Sequence, residues 1–299
     1  MNVTASASAS THLEQLLALF GDMGSALVCY SGGVDSALAL ALAHRAIGEK
    51  AIGMTAVSPS LAPFEREAAI RVAKQIGARH ELVESFEIDD PNYQANDTDR
   101  CFHCKSELYR IADAKQKEWQ TRAVVNGTNL DDLGDYRPGL EAAKNANVRS
   151  PFVELKMHKS DVRAVAELIG LGVWDKPAAA CLSSRLPFGT SVTRERLGQI
   201  GGFEAELLAM GLRQVRVRWH ELGVTQDAPK PGCYIEKTAS GSIARVEVSK
   251  EELATAFEKR EAIVEAGKRH GFTYVTLDLQ GYRTGSHNEV LVGKSLRVI

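Results

Sequence analysis

Two cysteines stand three residues apart in "TDRCFHCKSEL" (98–108), and a helix starting there puts Cys101 and Cys104 on one side, a turn apart. A C-x-x-C pair of this kind opens zinc knuckles, redox pairs and iron–sulfur sites alike. A third thiol, Cys181, follows "DKPAAA" and stands beside Ser183, Ser184 and Arg185. Three thiolates suit a [4Fe–4S] cluster with one iron left open. With His103 as fourth ligand they would close a zinc site, and as persulfide carriers they would relay sulfur. On spacing alone the three readings stand side by side. Cys29, in an apolar run, and Cys233, in a polar insert, read as inert thiols.

A second constellation handles anions. "YSGGVDS" (30–36) lies between an apolar run and an Ala/Leu-rich helical stretch. There Ser31, Gly32 and Gly33 can turn backbone N–H groups toward an anion at a helix N-terminus. Glycine permits an approach that a Cβ would block. The loop has neither the G-K-[ST] ending of a Walker A loop nor a G-x-G-x-x-G pattern. Further on, Arg216 and Arg218 in "RVRWH" are two apart on a strand and share a face. Paired guanidiniums suit a phosphate; a solvated alternating edge strand is the other reading of the same spacing.

These residues need a scaffold, and the hydrophobic pattern supplies one. A helix over 11–20 precedes the buried strand "ALVCYS", and "VDSALALALAHRAIG" is helical and closed by Gly48. "AIGMTAVS" is a second strand and "PFEREAAIRVAKQIGA" a second helix, with Pro63 near its first turn. "HELVES", "RAVVNGT" and the segment around "VRSPFVE" continue the strand series, separated by helices over 101–120, 140–144 and 160–170. This alternation predicts an α/β fold, a doubly wound parallel sheet with ligands at the carboxyl ends of its strands. After "KPAAACLSSRLPFGTS" the pattern changes to a helix (193–210), the alternating strand "LRQVRVRWHEL" and a polar insert (227–241). The strand "SIARVEV", a helix (249–269) and the strand "TYVTLDL" follow, which predicts a second, smaller α+β domain. The expected division is a disordered tail over 1–10, a nucleotide domain over 11–188 and a substrate or oligomerisation domain over 189–299.

Composition narrows the function classes. The 299 residues are 44% hydrophobic and 25% charged, with a formal charge of −2, which gives no general reason to expect nucleic acid. No apolar run approaches a membrane span. The opening "MNVTASASAS" lacks a basic region and an apolar core, so a cytoplasmic protein with reduced cysteines is expected.

"SGGVDS" resembles the S-G-G-x-D-[ST] signature of the PP-loop ATP pyrophosphatases, which split ATP between the α- and β-phosphates and adenylate a carbonyl or carboxylate. The resemblance implies that Ser31, Gly32, Gly33 and Ser36 hold the leaving pyrophosphate and that Asp35 helps place Mg²⁺. It also implies that Thr55, Ala56 and Val57 contact adenine, and that Gly127, Thr128 and Asp131 of "NGTNLDD" form a later nucleotide loop.

Motif order carries the resemblance further. "CYSGGVDSALAL", "RCFHCKSELY", "NGTNLDDLGDYRPGLEAA", "RSPF", "KPAAACLSSRLPFG", "RVRWH", "ARVEV" and "LDLQGYRTGS" follow one another as in the LarE-type ATP-dependent sulfur transferases, across nearly all of residues 12–290. That family converts pyridinium-3,5-dicarboxylate mononucleotide to its bis-thiocarboxylate, a precursor of the nickel-pincer nucleotide. One branch sacrifices the sulfur of the cysteine matching Cys181; another, with two additional cysteines, is thought to use a [4Fe–4S] cluster. Cys101 and Cys104 imply the second branch, with Cys101, Cys104 and Cys181 as cluster ligands. Arg185, Arg216 and Arg218 are implied at the substrate phosphate, with Glu204 and Glu247 nearby. ATP, Mg²⁺, a small mononucleotide and a homo-oligomer are the expected cofactors and partners, with no nucleic acid or membrane. A PP-loop tRNA-thiolating enzyme that uses a [4Fe–4S] cluster is the alternative. Two departures from the family pattern are His287 after "GS" and the insert around 221–241.

Overall fold

Ala9, Leu13, Leu16, Phe20 and Met23 recur every three or four residues, and the chain answers that stripe with one helix, α1 (Val3–Met23). Residues 3–10, where the sequence predicts a disordered tail, are helical and belong to α1. Alanine is the strongest helix former, and Ala9 is buried, so the stripe docks a turn earlier than the leucines indicate. The computed structural model describes residues 3–134, 138–177, 180–222 and 241–283, with side chains from residue 7 onward apart from that of Pro138. Cys233, His287 and the insert between 223 and 240 lie outside the described residues.

The strands β1 (Ala26–Cys29), β2 (Ala51–Val57), β3 (Arg79–Glu84) and β4 (Ala123–Val125) form one all-parallel sheet in the order β3-β2-β1-β4. Ala26 pairs with Ala51 on one side and with Ala123 on the other. The two halves of the sheet thus grow in opposite directions from β1. The switch point, where such sheets leave a ligand crevice, falls at the carboxyl ends of β1 and β4.

The connections are α2 (Val34–Ile47), α3 (Pro63–Ile76), α4 (Pro91–Ala95), α5 (Arg100–Glu118), α6 (Pro138–Asn145), α7 (Pro151–Glu154) and α8 (Lys159–Leu168). Val34 and residues 36–43 of α2 are all buried, which makes this helix the hub of the core. It packs with Leu16 and Phe20 of α1 and Val162 and Val165 of α8. The strand expected around "VRSPFVE" does not form. Arg149 alone makes a parallel bridge to Val125. Pro151 has no N–H for a ladder and instead opens α7.

The chain divides into two compact units between Ala180 and Cys181, ahead of the expected 188/189 boundary, so Cys181 and Arg185 belong to the second. That unit carries α9 (Arg194–Ala209), β5 (Val215–Glu221), β6 (Ser242–Val248), α10 (Leu253–Glu258), α11 (Arg260–Arg269) and β7 (Tyr274–Leu277). The helix expected over 249–269 is broken at Lys259, which ends α10 and caps α11. The sheet order is β5-β6-β7, with β5 and β6 antiparallel and β6 and β7 parallel. Val215, Val217 and Trp219 alternate inward with Ala244, Val246 and Val248, over Leu197, Ile200 and Phe203 of α9. The period of two therefore places Arg216, Arg218 and His220 together on the opposite face, beside Arg245 and Glu247.

Candidate functional site

The loop between β1 and α2 is held by backbone geometry. Gly32 has φ +74°, and a Cβ there would lie 2.8 Å from the Cα of Ala69 in α3, so only glycine fits. Gly33 is the extended N-cap of α2 and makes no side-chain cap, which leaves the helix's first N–H groups without a side-chain acceptor, the condition under which a helix start can receive an anion. Ser31 N–H donates to Ser36 Oγ at 3.1 Å, and Ser36 Oγ donates to the Gly33 carbonyl at 3.2 Å, closing the turn. The loop after β4 lies directly on it. A Cβ on Gly127 would fall 2.8 Å from the Ser36 nitrogen and 2.9 Å from the Asp35 carbonyl carbon. Thr128 N–H in turn donates to Asn126 Oδ1 at 3.1 Å. At the end of β2, Thr55 Oγ1 donates to the Tyr30 carbonyl at 2.8 Å, and Ala56 and Val57 are half-buried beside it.

Charges surround this turn, several of them not singled out by sequence reasoning. The Lys159 ammonium pairs with Asp35 Oδ2, and Asn129 Nδ2 donates to Asp35 Oδ1 at 3.2 Å. Asp35 therefore fits a magnesium ion only once Lys159 has withdrawn. Asp131, expected in the later nucleotide loop, has both oxygens engaged. One lies 2.6 Å from His158 Nδ1 and the other accepts from the Lys159 N–H at 2.7 Å, anchoring the loop to the start of α8. That contact to His158 holds the Asp131 carboxyl below, and the His158 imidazole above, its ordinary range. Lys176 Nζ donates to the Gly32 carbonyl at 3.3 Å and to Glu65 Oε2 at 2.7 Å. The sequence signal for the Lys159 group was the "HKSD" string, in which His158 and Asp161 form a capping box.

The thiols are placed less completely. Cys101 is exposed and Cys104 half-buried on the first turns of α5. Cys29 ends β1, and burial pushes its thiol up to about 12 against the pull of Lys105, so it stays protonated at neutral pH. Lys105 sits among these groups. Loss of hydration opposes its charge, but Tyr109, Cys104, Cys29 and Cys101 outweigh this and hold it above the usual lysine range. Among the described residues no three His, Cys, Asp or Glu side chains are grouped to hold a metal ion. The C-x-x-C helix thus presents two thiols.

In the second unit, Cys181 is exposed and caps the 3-10 turn Leu182–Arg185. Its carbonyl accepts from Ser184 Oγ at 2.8 Å and Arg185 Nη1 at 2.9 Å. Arg185 and Glu204, 2% and 1% exposed, form a two-pronged pair at 2.9 and 3.1 Å. Glu204 Oε1 also accepts from Val217 N–H at 2.9 Å, satisfying a donor on the free side of edge strand β5. Arg218 donates to Glu247 at 2.9 Å and to the Ser184 carbonyl at 2.9 Å. Arg245 lies 3.3 Å from Glu247 and 2.5 Å from Asp278. Among the described residues no carboxylate forms an ion pair with Arg216, which stacks over Tyr282 with its guanidinium carbon 5.4 Å from the ring centre. Burial and then the neighbouring Arg185 charge hold Arg216 below the usual arginine range. The geometry therefore separates the three arginines: two are neutralised by buried glutamates, and one is left with charge to give to an anion.

No protein-family model matches the chain. It is 42% identical, over 93% of its length and 97% of the relative's, to an uncharacterized protein of Synechocystis. It is 30% identical to the pyridinium-3,5-bisthiocarboxylic acid mononucleotide synthase of Lactiplantibacillus plantarum, over 97% of this chain and 98% of that one. A more distant similarity, 24% identity over 62% of each chain, links it to one of the subunits of the glutamine-hydrolyzing GMP synthase of Archaeoglobus fulgidus.

Proposed function

The chain belongs to the LarE-type family of pyridinium-3,5-bisthiocarboxylic acid mononucleotide synthases, and we propose that it is an ATP-dependent sulfur transferase of nickel-pincer cofactor biosynthesis. Its substrate in this reading is pyridinium-3,5-dicarboxylate mononucleotide. A carboxylate oxygen of that substrate attacks the α-phosphate of ATP, the bond to the β-phosphate breaks, and pyrophosphate leaves with the acyl adenylate formed. A sulfur nucleophile then attacks the carbonyl carbon, AMP departs with the bridging oxygen, and the carboxylate has become a thiocarboxylate.

The observation that supports this reading most is the uncapped N-terminus of α2, closed by Gly32 on one side and Gly127 on the other. Such a turn receives a polyanion through N–H groups and helix dipole. Lys159 moves in this reading from Asp35 to the triphosphate, which frees Asp35 for Mg²⁺. That ion would supply further neutralisation of the phosphates when bound. Thr55, Ala56 and Val57 face the adenine, and Arg216 takes the substrate phosphate while the Arg185–Glu204 and Arg218–Glu247 pairs hold its strand in register.

In this reading the attacking sulfur is sulfide, delivered at Cys101, Cys104 and Cys181, so that departure of AMP leaves the thiocarboxylate with no further C–S bond to break. In the iron–sulfur form of this reading, Cys101, Cys104 and Cys181 would hold a [4Fe–4S] cluster whose open iron would bind sulfide. Iron and acid-labile sulfide counted on anaerobically purified protein test the [4Fe–4S] proposal directly. A dehydroalanine at 181 in iron-free, product-forming protein would instead make Cys181 a sacrificial donor. For activation, anion-exchange chromatography of the nucleotides should show AMP and pyrophosphate, lost in Asp35→Ala. ADP as the product would overturn the assignment.

A further inference from the structure

Lys176 is a cation of the phosphate loop that the reaction above leaves without a part. Its ammonium bridges the Gly32 carbonyl, at 3.3 Å, and Glu65, at 2.7 Å. The two side chains are 22% and 19% exposed, so the bridge is largely shielded from water. Glu65 belongs to the first turn of α3, and Ala69 of that helix is the residue against which Gly32 packs.

The Gly32–Gly33 peptide decides whether the loop can hold an anion. A trans peptide is planar, with its C=O and N–H on opposite sides. Fixing the Gly32 carbonyl in one direction therefore fixes the Gly33 N–H in the other. A flip of this plane changes ψ of Gly32 and φ of Gly33, and it is open here because Gly33, as a glycine, populates both signs of φ about equally. A flipped plane would turn a carbonyl oxygen toward the phosphate and repel it.

We propose that Lys176, held in place by Glu65, is a positioning residue for the pyrophosphate loop, locking the Gly32 carbonyl outward so that the Gly33 N–H faces the departing pyrophosphate. This rests on the ATP reading above and deepens it. The pairing also gives Glu65 an effect opposite to that of its charge. Through space, a carboxylate this close to the loop repels a polyanion, so neutralising it should tighten ATP. Acting through Lys176, the same carboxylate favours ATP.

Isothermal titration calorimetry of the full chain, with Mg·ATP and with pyrophosphate, distinguishes these. Lys176→Ala should weaken both ligands about tenfold, and Glu65→Gln about threefold in the same direction. The double variant should bind no more weakly than Lys176→Ala alone, since Glu65 has nothing left to hold and only its repulsion is removed. Lys176→Arg, whose fork can reach both acceptors, should recover most of the affinity. Binding of the mononucleotide substrate should be unchanged throughout, a split that general destabilisation would not give. Tighter ATP binding in Glu65→Gln, or unchanged binding in Lys176→Ala, overturns the proposal while leaving the ATP reading intact. Should Lys176→Ala fail to fold, the sign of the Glu65→Gln effect still decides. A wild-type chain that binds neither ligand would remove the ATP reading, and this inference with it.

Discussion

In the proposed reading the two polar regions hold a phosphate in opposite ways. The loop ahead of α2 uses backbone: a left-handed glycine, a second glycine pressed against the helix start, and N–H groups left uncapped. Its charges are partly exposed and parked on one another, Lys159 on Asp35 and Lys176 on Glu65. The sheet face of the second unit uses side chains. Buried glutamates neutralise two arginines, and the strand they fix presents a third, Arg216. A backbone site tolerates loss of a charge better than gain of a methyl; a buried ion-pair site has the reverse sensitivity.

The largest effect expected from this contrast is on stability. Glu204→Ala takes from buried Arg185 its two-pronged carboxylate partner and removes the acceptor of Val217 N–H, at a cost of about 3–5 kcal/mol. Denaturant unfolding should show the loss; a change below about 1 kcal/mol would mean the pair behaves as a surface one. Next comes Arg216→Ala, which should raise the KM for the mononucleotide by an amount equal to about 1.5–3 kcal/mol and leave ATP binding alone. Unchanged substrate kinetics would return Arg216 to the role of a solvated strand residue.

Gly127→Ala probes the backbone site. The added methyl meets the Ser36 nitrogen and the Asp35 carbonyl carbon, so the two loops must separate. The strain is about 1–3 kcal/mol, read as a tenfold to hundredfold loss in ATP affinity with the second unit's folding intact. Normal ATP binding in that variant would show that the loops need not touch.

The smallest effect concerns pH. Asp131 has a depressed carboxyl pKa, so its contribution is present above the ordinary aspartate value and is lost as pH falls through the folded value. His158 has a raised pKa, so its contribution is full below the ordinary histidine value and is lost as pH rises through the folded one. The pair therefore anchors the loop best between roughly pH 4 and 6.5. In an NMR titration, Asp131→Asn should return His158 to the ordinary range; an unmoved titration would assign the shift to another neighbour.

What was legible in the sequence followed the range of the interactions. The Gly32 turn, the Gly33 helix start and the alternation of Arg216 and Arg218 are local, and a window of a few residues contains their cause. The doubly wound sheet was legible for the same reason, through its repeated strand–helix units. Lys159 and Lys176 were not, because each meets a partner more than a hundred residues away in the chain, Asp35 and Gly32 respectively. The glutamates hide their role similarly: the family resemblance implies Glu204 and Glu247 near the substrate, but only the fold shows them absorbing Arg185 and Arg218. The missing fifth strand at 149–154 fails on one residue, Pro151, whose preference for a helix start outweighs the apolar pattern around it.

The central claim, that a carboxylate is activated by ATP and exchanged for a thiocarboxylate, is tested most directly by mass spectrometry of the mononucleotide after anaerobic incubation of the intact protein with Mg·ATP, substrate and sulfide. The expected product has sulfur in place of a carboxylate oxygen, formed together with AMP and pyrophosphate and absent in Asp35→Ala. Substrate recovered unchanged while ATP is consumed, or a nucleotide product of ADP, would contradict it.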